Sequence, residues 1–114
     1  MGLRGLEKVY KALADKNRLR IMKMLETRPM CVCELRAVLG LAQPSVSKHL
    51  KVLRDAGLVV DEQEGLWTNY LLRAENAFAR MVLKDLRGWL VDDEQIVRDR
   101  RVACNVKKET LCKK

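Results

Sequence analysis

One histidine among 114 residues is the first constraint on what this chain can do. His49 lies in a basic, serine-containing segment, and no Ser/His/Asp or paired-carboxylate arrangement is discernible around it, so an enzyme is not expected. Long hydrophobic runs are also lacking. No apolar stretch reaches the roughly 18 residues that a membrane-spanning helix needs, and no membrane partner is expected. Met1-Gly2-Leu3-Arg4 has neither the apolar core nor the small-residue cleavage site of a signal peptide. A cytoplasmic protein is the expectation, with its four cysteines as reduced thiols rather than disulfide staples. Internal repeats and low-complexity segments are absent.

What is present suffices for one ordinary core. Apolar residues make up 48% of the chain, enough to fold without disulfides or a structural metal. Lys and Arg number 23 against 15 Asp and Glu, a net charge of +8, which makes nucleic acid or another anionic partner a candidate.

Periodicity divides the chain. Leu3, Leu6, Val9, Tyr10 and Leu13 recur every three or four positions, with Arg4, Glu7, Lys8 and Lys11 on the other side, which predicts a first helix. Asp15 is placed to N-cap a second helix, whose stripe of Leu19, Met22 and Leu25 lasts until Thr27-Arg28-Pro29. A third, short helix is expected from about Cys31 to Leu39. After a Gly40-Leu41-Ala42 turn, Pro44 suits a first helical position, and a fourth helix carries Val46, Leu50 and Leu53 to Ala56, where Gly57 supplies a left-handed cap. Alternation then replaces the helical period. Leu58-Val59-Val60 and Trp67 to Leu72 are β-prone, and the polar stretch Asp61 to Gly65 between them makes a hairpin with Gly65 near its tip. A fifth helix from Glu75 aligns Phe78, Met81, Val82, Leu86, Trp89 and Leu90. Asp92-Asp93-Glu94 opens a further short helix, and Asn105 to Lys114 is expected to be a mobile basic tail. The fold class is mainly α with a small β-hairpin wing (α+β), a winged helix-turn-helix.

That motif puts the second helix of the pair in the major groove of double-stranded DNA. Its polar face names the candidate contacts as Gln43, Ser45, Ser47, Lys48, His49, Lys51 and Arg54. Those near the helix start can reach base edges, and those further on can reach phosphates. His49 is a DNA contact or a helix-packing residue.

The run Leu39-Gly-Leu-Ala-Gln-Pro-Ser-Val-Ser-Lys-His-Leu-Lys-Val-Leu-Arg-Asp-Ala-Gly-Leu-Val59 resembles the ArsR/SmtB family of winged-helix metalloregulatory repressors. Ala12-Leu13-Ala14-Asp15 with Asn17-Arg18-Leu19-Arg20-Ile21 resembles that family's second-helix entry, and Gly65-Leu66-Trp67 its wing. The resemblance covers about Leu3 to Leu90. It implies a homodimeric repressor that holds operator DNA, dimerises through its first and last helices, and lets go when a toxic ion binds. On this basis residues 1–91 are expected to form the DNA-binding and dimerisation domain, and residues 92–114 a short helix and basic tail carrying Cys104 and Cys112.

The thiols carry the inducer chemistry. Cys31 and Cys33 bracket one residue just upstream of the DNA-reading helix, and thiolates are soft ligands suited to As(III), Sb(III), Cd, Pb or Zn. Residues i and i+2 of a helix point about 200° apart, so a regular helix cannot bring both to one ion. The helix start is expected to favour the thiolate form, and ligation to unwind or tilt the first turn. Cys-Val-Cys-Glu-Leu resembles the arsenic-responsive branch, but Arg36 stands where relatives often have a third cysteine. Cys104 or Cys112 is then the available third sulfur. All four thiols together would suit cadmium or zinc, but relatives that sense cadmium or lead through this helix typically add cysteines near the N-terminus and this chain has none before Cys31, so the resemblance favours As(III) or Sb(III). Two rival readings use the same residues: inert buried thiols, and a reversible disulfide that makes the scaffold a redox switch.

Overall fold

Asp15 closes the first helix-to-helix connection by capping the second helix: its carboxylate accepts from the backbone N–H groups of Asn17 at 2.8 Å and Arg18 at 3.1 Å. Burial pushes this acid up, but the Arg18 N–H and the charges of Arg18 and His49 outweigh it and hold Asp15 below its usual 3.8. The computed structural model describes residues 2–107. In chain order the elements are α1 (Leu3–Leu13), α2 (Lys16–Leu25), β1 (Met30–Cys31), α3 (Val32–Leu39), α4 (Gln43–Asp55), β2 (Val59–Glu64), β3 (Trp67–Leu72), α5 (Ala77–Leu86) and α6 (Glu94–Ala103). Val9, Ile21, Met22, Leu35, Val46, Leu50, Leu53, Leu58 and Leu86 meet in one core. Burying each such aliphatic side chain contributes about 1.5–3 kcal/mol before entropy is subtracted.

The expected elements are present, with differences that have physical causes. Strands β2 and β3 pair antiparallel from Val59↔Leu72 to Glu64↔Trp67 around Gly65-Leu66, and Gly65 takes φ 59° at the tip. Asp61 to Glu64, expected as the polar link, is strand instead. Its outer end is solvent-exposed, so no apolar alternation marks it, and polar pairs such as Thr68 Oγ1 to Gln63 Oε1 (2.9 Å) line it. A third strand, β1, was not expected. Met30↔Tyr70 and Cys31↔Asn69 attach it to β3, giving the order β1-β3-β2. Two residues are too few to show a period, although Pro29 before them disfavours helix at Arg28.

Helix α4 begins at Gln43, so Pro44 is one position further in than expected. Gly57 does adopt the left-handed cap, φ 82°, and the Leu58 N–H reaches back to the Leu53 carbonyl at 3.0 Å. Helix α5 is shorter than its apolar stripe. Asn76 caps its start by accepting from the Ala79 N–H at 2.8 Å, and at its end the Leu86 carbonyl accepts from the Lys23 ammonium at 2.7 Å. Leu90, at φ 62°, is left-handed, so Trp89 and Leu90 lie beyond the helix.

Helix α6 is ten residues long, capped by Asp93, and buries Ile96, Asp99 and Ala103. Ion pairs dock it on α2. Arg20 grips Asp99 through both oxygens, at 2.8 and 2.9 Å, and Glu26 Oε1 binds Lys23 and Arg100 at 2.7 Å each. Helix α6 is the further short helix expected to open at Asp92-Asp93-Glu94, and it is the last described helix. Of the expected tail, residues 108–114, Cys112 among them, lie outside the described residues.

Candidate functional site

Two sets of side chains converge on the helix pair α3–α4. The turn between the helices is set by Gly40, at φ 71°, whose N–H closes on the Arg36 carbonyl at 2.9 Å. Ala42 then caps α4, its carbonyl accepting from Ser45 and Val46 at 3.0 and 3.2 Å. Val46, Leu50 and Leu53 are buried, so the opposite face turns out, and Gln43, Ser45, Ser47, Lys48, Lys51 and Arg54 are all exposed. Lys51 pairs with Asp55 at 3.0 Å, holding that carboxyl below its usual 3.8, and Arg54 lies 3.8 Å from Asp61. His49 differs from the rest. It is half-buried, with Nδ1 3.2 Å from Arg18 Nη1, while Arg18 also donates to the Ala12 carbonyl at 2.8 Å. Of the two roles expected for His49, the geometry shows packing: it ties α4 to the α1–α2 junction.

The cysteine pair lies at the other end of α3. Cys31 is both the last residue of β1 and the N-cap of α3, with extended backbone (φ −90°, ψ 170°). Its N–H donates to Glu34 Oε1 at 3.0 Å, and its sulfur faces the Glu34 backbone N–H, completing a capping box. Cys33 follows in the first turn, half-buried and disulfide-bonded, which overturns the expectation that all four cysteines are reduced thiols, while Cys31 and Cys104 are free. The 200° helical separation therefore does not govern this pair, because only Cys33 is helical.

A second expectation is overturned at Cys31. The helix start does not make it a thiolate: only 3% of the residue is exposed, and burial pushes its thiol above the usual 9.0. The N–H groups of Glu34 and Cys33 pull the other way and lose, since the Glu34 carboxylate adds to the upward push.

Cys104 caps the far end of α6 and is exposed with a free thiol. Among the described residues no group of three or more His, Cys, Asp or Glu side chains could hold a metal ion. Cys31, Cys33 and Cys104 form no such group, and Cys112, the fourth of the expected sulfurs, lies outside the described residues. Arg36, at the position of the missing cysteine, is exposed on α3.

Two participants were missed in the sequence. Glu34 is buried and bridges the Cys31 N–H to the Arg28 guanidinium at 3.1 Å, and Arg28 Nη2 donates to the Ala103 carbonyl at 3.0 Å. Arg28 thereby links the cysteine-bearing end of α3 to the last turn of α6. The spacing Cys31-x-x-Glu34 is itself a capping-box signal that could have located Glu34; nothing local marks Arg28.

Comparison with known proteins agrees with this arrangement. Residues 15–60 match the family described as "Bacterial regulatory protein, arsR family". The arsenical resistance operon repressor of Escherichia coli (strain K12) is 34% identical over 110 residues, 91% of this chain and 92% of that one. Among solved structures, the homodimeric winged helix-turn-helix DNA-binding domain of Mb0332 from Mycobacterium bovis superposes with a TM-score of 0.64 at 26% identity, covering 77% of this chain and 82% of that one. The cadmium metal-sensor CMTR from Mycobacterium tuberculosis gives a TM-score of 0.58 at 38% identity, covering 77% and 84%. No helix among the described residues is long and apolar enough to cross a membrane. With a helix-turn-helix whose outer face is polar and basic, a three-stranded wing and this likeness, the chain belongs to the arsR family of bacterial regulatory proteins, as a DNA-binding transcriptional repressor and not an enzyme.

Proposed function

We propose that the protein is a homodimeric repressor that holds operator DNA and releases it when As(III) or Sb(III) condenses with Cys31 and Cys33. One observation carries the reading: Cys31 is shared between the strand that pairs with the wing and the first turn of α3. A bond from one arsenic or antimony atom to both sulfurs draws Cys31 and Cys33 together, so it shifts either β1 against β3 or α3 against α4. Each As–S bond forms as a thiol proton leaves with an arsenite hydroxyl as water, so the neutral thiol of Cys31 is a competent reactant. A third sulfur from Cys104 or Cys112, of either subunit, completes a trigonal site.

In this reading Gln43, Ser45 and Ser47 read base edges, and Lys48, Lys51 and Arg54 bind phosphates, which their exposure on α4 supports. Two copies put their α4 helices in major grooves about 34 Å apart. The dimer face we assign is the apolar surface left open on α1 and α5, where Leu3, Tyr10 and Met81 are 86, 59 and 65% exposed. It is contiguous, because Gly5 of α1 lies against the Phe78 ring.

The test is operator release measured by fluorescence anisotropy on the reduced protein, titrated separately with arsenite, antimonite, cadmium, lead and zinc. Release by arsenite or antimonite at the lowest concentration, lost in Cys31→Ser and Cys33→Ser, is the expected result. A wild-type midpoint in both variants refutes the site. Release first by cadmium, lead or zinc makes it a divalent-ion sensor of the same family.

A second reading draws on the disulfide at Cys33. In it the thiols switch by oxidation, and operator release by peroxide in metal-free buffer, reversed by dithiothreitol, distinguishes it.

A further inference from the structure

One guanidinium joins three helices. Arg18, near the start of α2, donates from Nε to the Ala12 carbonyl at 2.8 Å and from Nη2 to the Lys11 carbonyl at 3.0 Å, both in the last turn of α1, where the helix runs out of its own N–H groups. With those two corners fixed, the third, Nη1, meets Nδ1 of His49 on α4 at 3.2 Å. Asp15 lies 3.8 Å from the same Nη1, but its carboxylate is occupied in capping α2.

This contact decides where the proton of His49 sits. A guanidinium donates and has no acceptor, so Nδ1 presents its lone pair and the ring proton is on Nε2. The ring is half-buried, yet Nε2 makes no hydrogen bond among the described residues and is not one of the buried atoms left unpaired, so it opens to solvent. His49 follows Ser45 by one turn, and Ser45 is exposed on the face of α4 assigned above to DNA. Packing and DNA contact are therefore not alternatives: the ring packs through Nδ1 and is free to donate through Nε2.

We propose that Arg18 is a positioning residue for DNA binding: by holding His49 as the Nε2–H tautomer, it aims a neutral hydrogen-bond donor at a backbone phosphate. Such a donor adds affinity without releasing a counterion, unlike Lys48, Lys51 or Arg54. Its aim is set from the end of α1, because that is where two of the three corners of the guanidinium are anchored. The proposal rests on α4 being the helix that meets DNA, and it stands whether or not arsenite is the inducer.

Two measurements on the full chain test it. His49 is the only histidine, so nitrogen-15 labelling of histidine gives a single ring, whose long-range proton–nitrogen correlations read the tautomer directly. Wild type is expected to carry the proton on Nε2 at neutral pH. Arg18→Lys, which keeps the charge but not the planar fork, is expected to show a mixture of both tautomers.

Fluorescence anisotropy with operator and unrelated duplexes over a salt series gives the second readout. His49→Asn offers an amide near Nδ1 and nothing at Nε2, and is expected to weaken binding to every duplex about tenfold. His49→Gln brings an amide N–H near the place of Nε2, and is expected to lose only about threefold. The salt slope is expected to keep its wild-type value in both. Arg18→Lys is expected to lose affinity too, and Arg18→Lys combined with His49→Asn to lose no more than His49→Asn alone, because Arg18 acts through the ring.

The proposal fails if the wild-type ring carries its proton on Nδ1, or protons on both nitrogens, at neutral pH. It fails equally if His49→Gln is as weak as His49→Asn, if the His49 losses fall on one base pair or lower the salt slope by about 1, or if the Arg18 and His49 losses add. Lys48→Gln separates this proposal from the reading beneath it. A weakened Lys48→Gln beside an unchanged His49→Asn overturns the role of Arg18 alone, whereas no loss in either removes α4 from the DNA face.

Discussion

Glu34 accepts a hydrogen bond from the backbone N–H of Cys31 at 3.0 Å through one carboxylate oxygen, while its other oxygen binds Arg28 at 3.1 Å. A single buried carboxylate thus caps the helix that carries the cysteines and anchors the arginine that reaches α6. Glu34→Gln keeps an acceptor for the Cys31 N–H and loses the charge opposite Arg28; Glu34→Ala loses both. Urea denaturation is expected to show Glu34→Ala destabilised by about 2–3 kcal/mol and Glu34→Gln by roughly half of that. Equal losses in the two variants would mean that the ion pair, not the cap, carries the stabilisation.

The burial that raises the Cys31 thiol has a reactivity consequence. Alkylation proceeds through the thiolate. In the reduced protein at neutral pH, Cys104, exposed at the end of α6, is expected to react with iodoacetamide well before Cys31, and peptide mapping by mass spectrometry reads the order. Stability carries the same signature. The folded state binds this proton more tightly than the unfolded chain, so the contribution is whole below the usual thiol value of 9.0 and is lost as pH rises through the raised folded value. The stability difference between wild type and Cys31→Ala should therefore narrow above about pH 9. A difference that is flat across that range contradicts the buried thiol.

The distance between partners along the chain decides which features were legible in the sequence. Asp15 and Gly57 announce helix ends because a cap acts on N–H or carbonyl groups within a few residues, and both behave as read. The polar face of α4 was legible for the same reason: its complement, Val46, Leu50 and Leu53, lies in the same helix. Strand β1 was not, since its partner Tyr70 is forty positions away and its two residues carry no period. The thiol chemistry at Cys31 went the wrong way because a helix start acts locally, whereas the burial that overrides it comes from the assembled core. For His49 the sequence left DNA contact and helix packing both open, and the packing partner, Arg18, lies thirty-one positions earlier, where no local pattern points to it.

The exposed face of α4 separates two kinds of contact. Lys48→Gln is expected to weaken binding to all duplexes about equally and to reduce the slope of log affinity against log salt by about 1, because it removes one phosphate contact. Gln43→Ala is expected instead to relax preference at one base position, costing about 1–3 kcal/mol on the best operator and little on others. Fluorescence anisotropy over a salt series with a set of point-substituted operators distinguishes them. A uniform loss from Gln43→Ala would reassign it to the DNA backbone.

Lys23 is fully buried, its ammonium donating to the Leu86 carbonyl at 2.7 Å and pairing with Glu26 at 2.7 Å. It thereby satisfies the end of α5 and neutralises a carboxylate that also holds Arg100 of α6. Lys23→Ala removes the charge, the donor and the aliphatic stem together, and is expected to cost about 3–5 kcal/mol, the range for breaking a buried pair by deleting one partner. Lys23→Met keeps the stem. It still leaves the Leu86 carbonyl without a donor, but Arg100 remains to neutralise Glu26, so a loss of about 1–3 kcal/mol is expected. Urea midpoints at constant m value measure both. If Lys23→Met were as damaging as Lys23→Ala, the ammonium itself would be what joins α5, α2 and α6; if both were mild, Arg100 alone would suffice to hold Glu26.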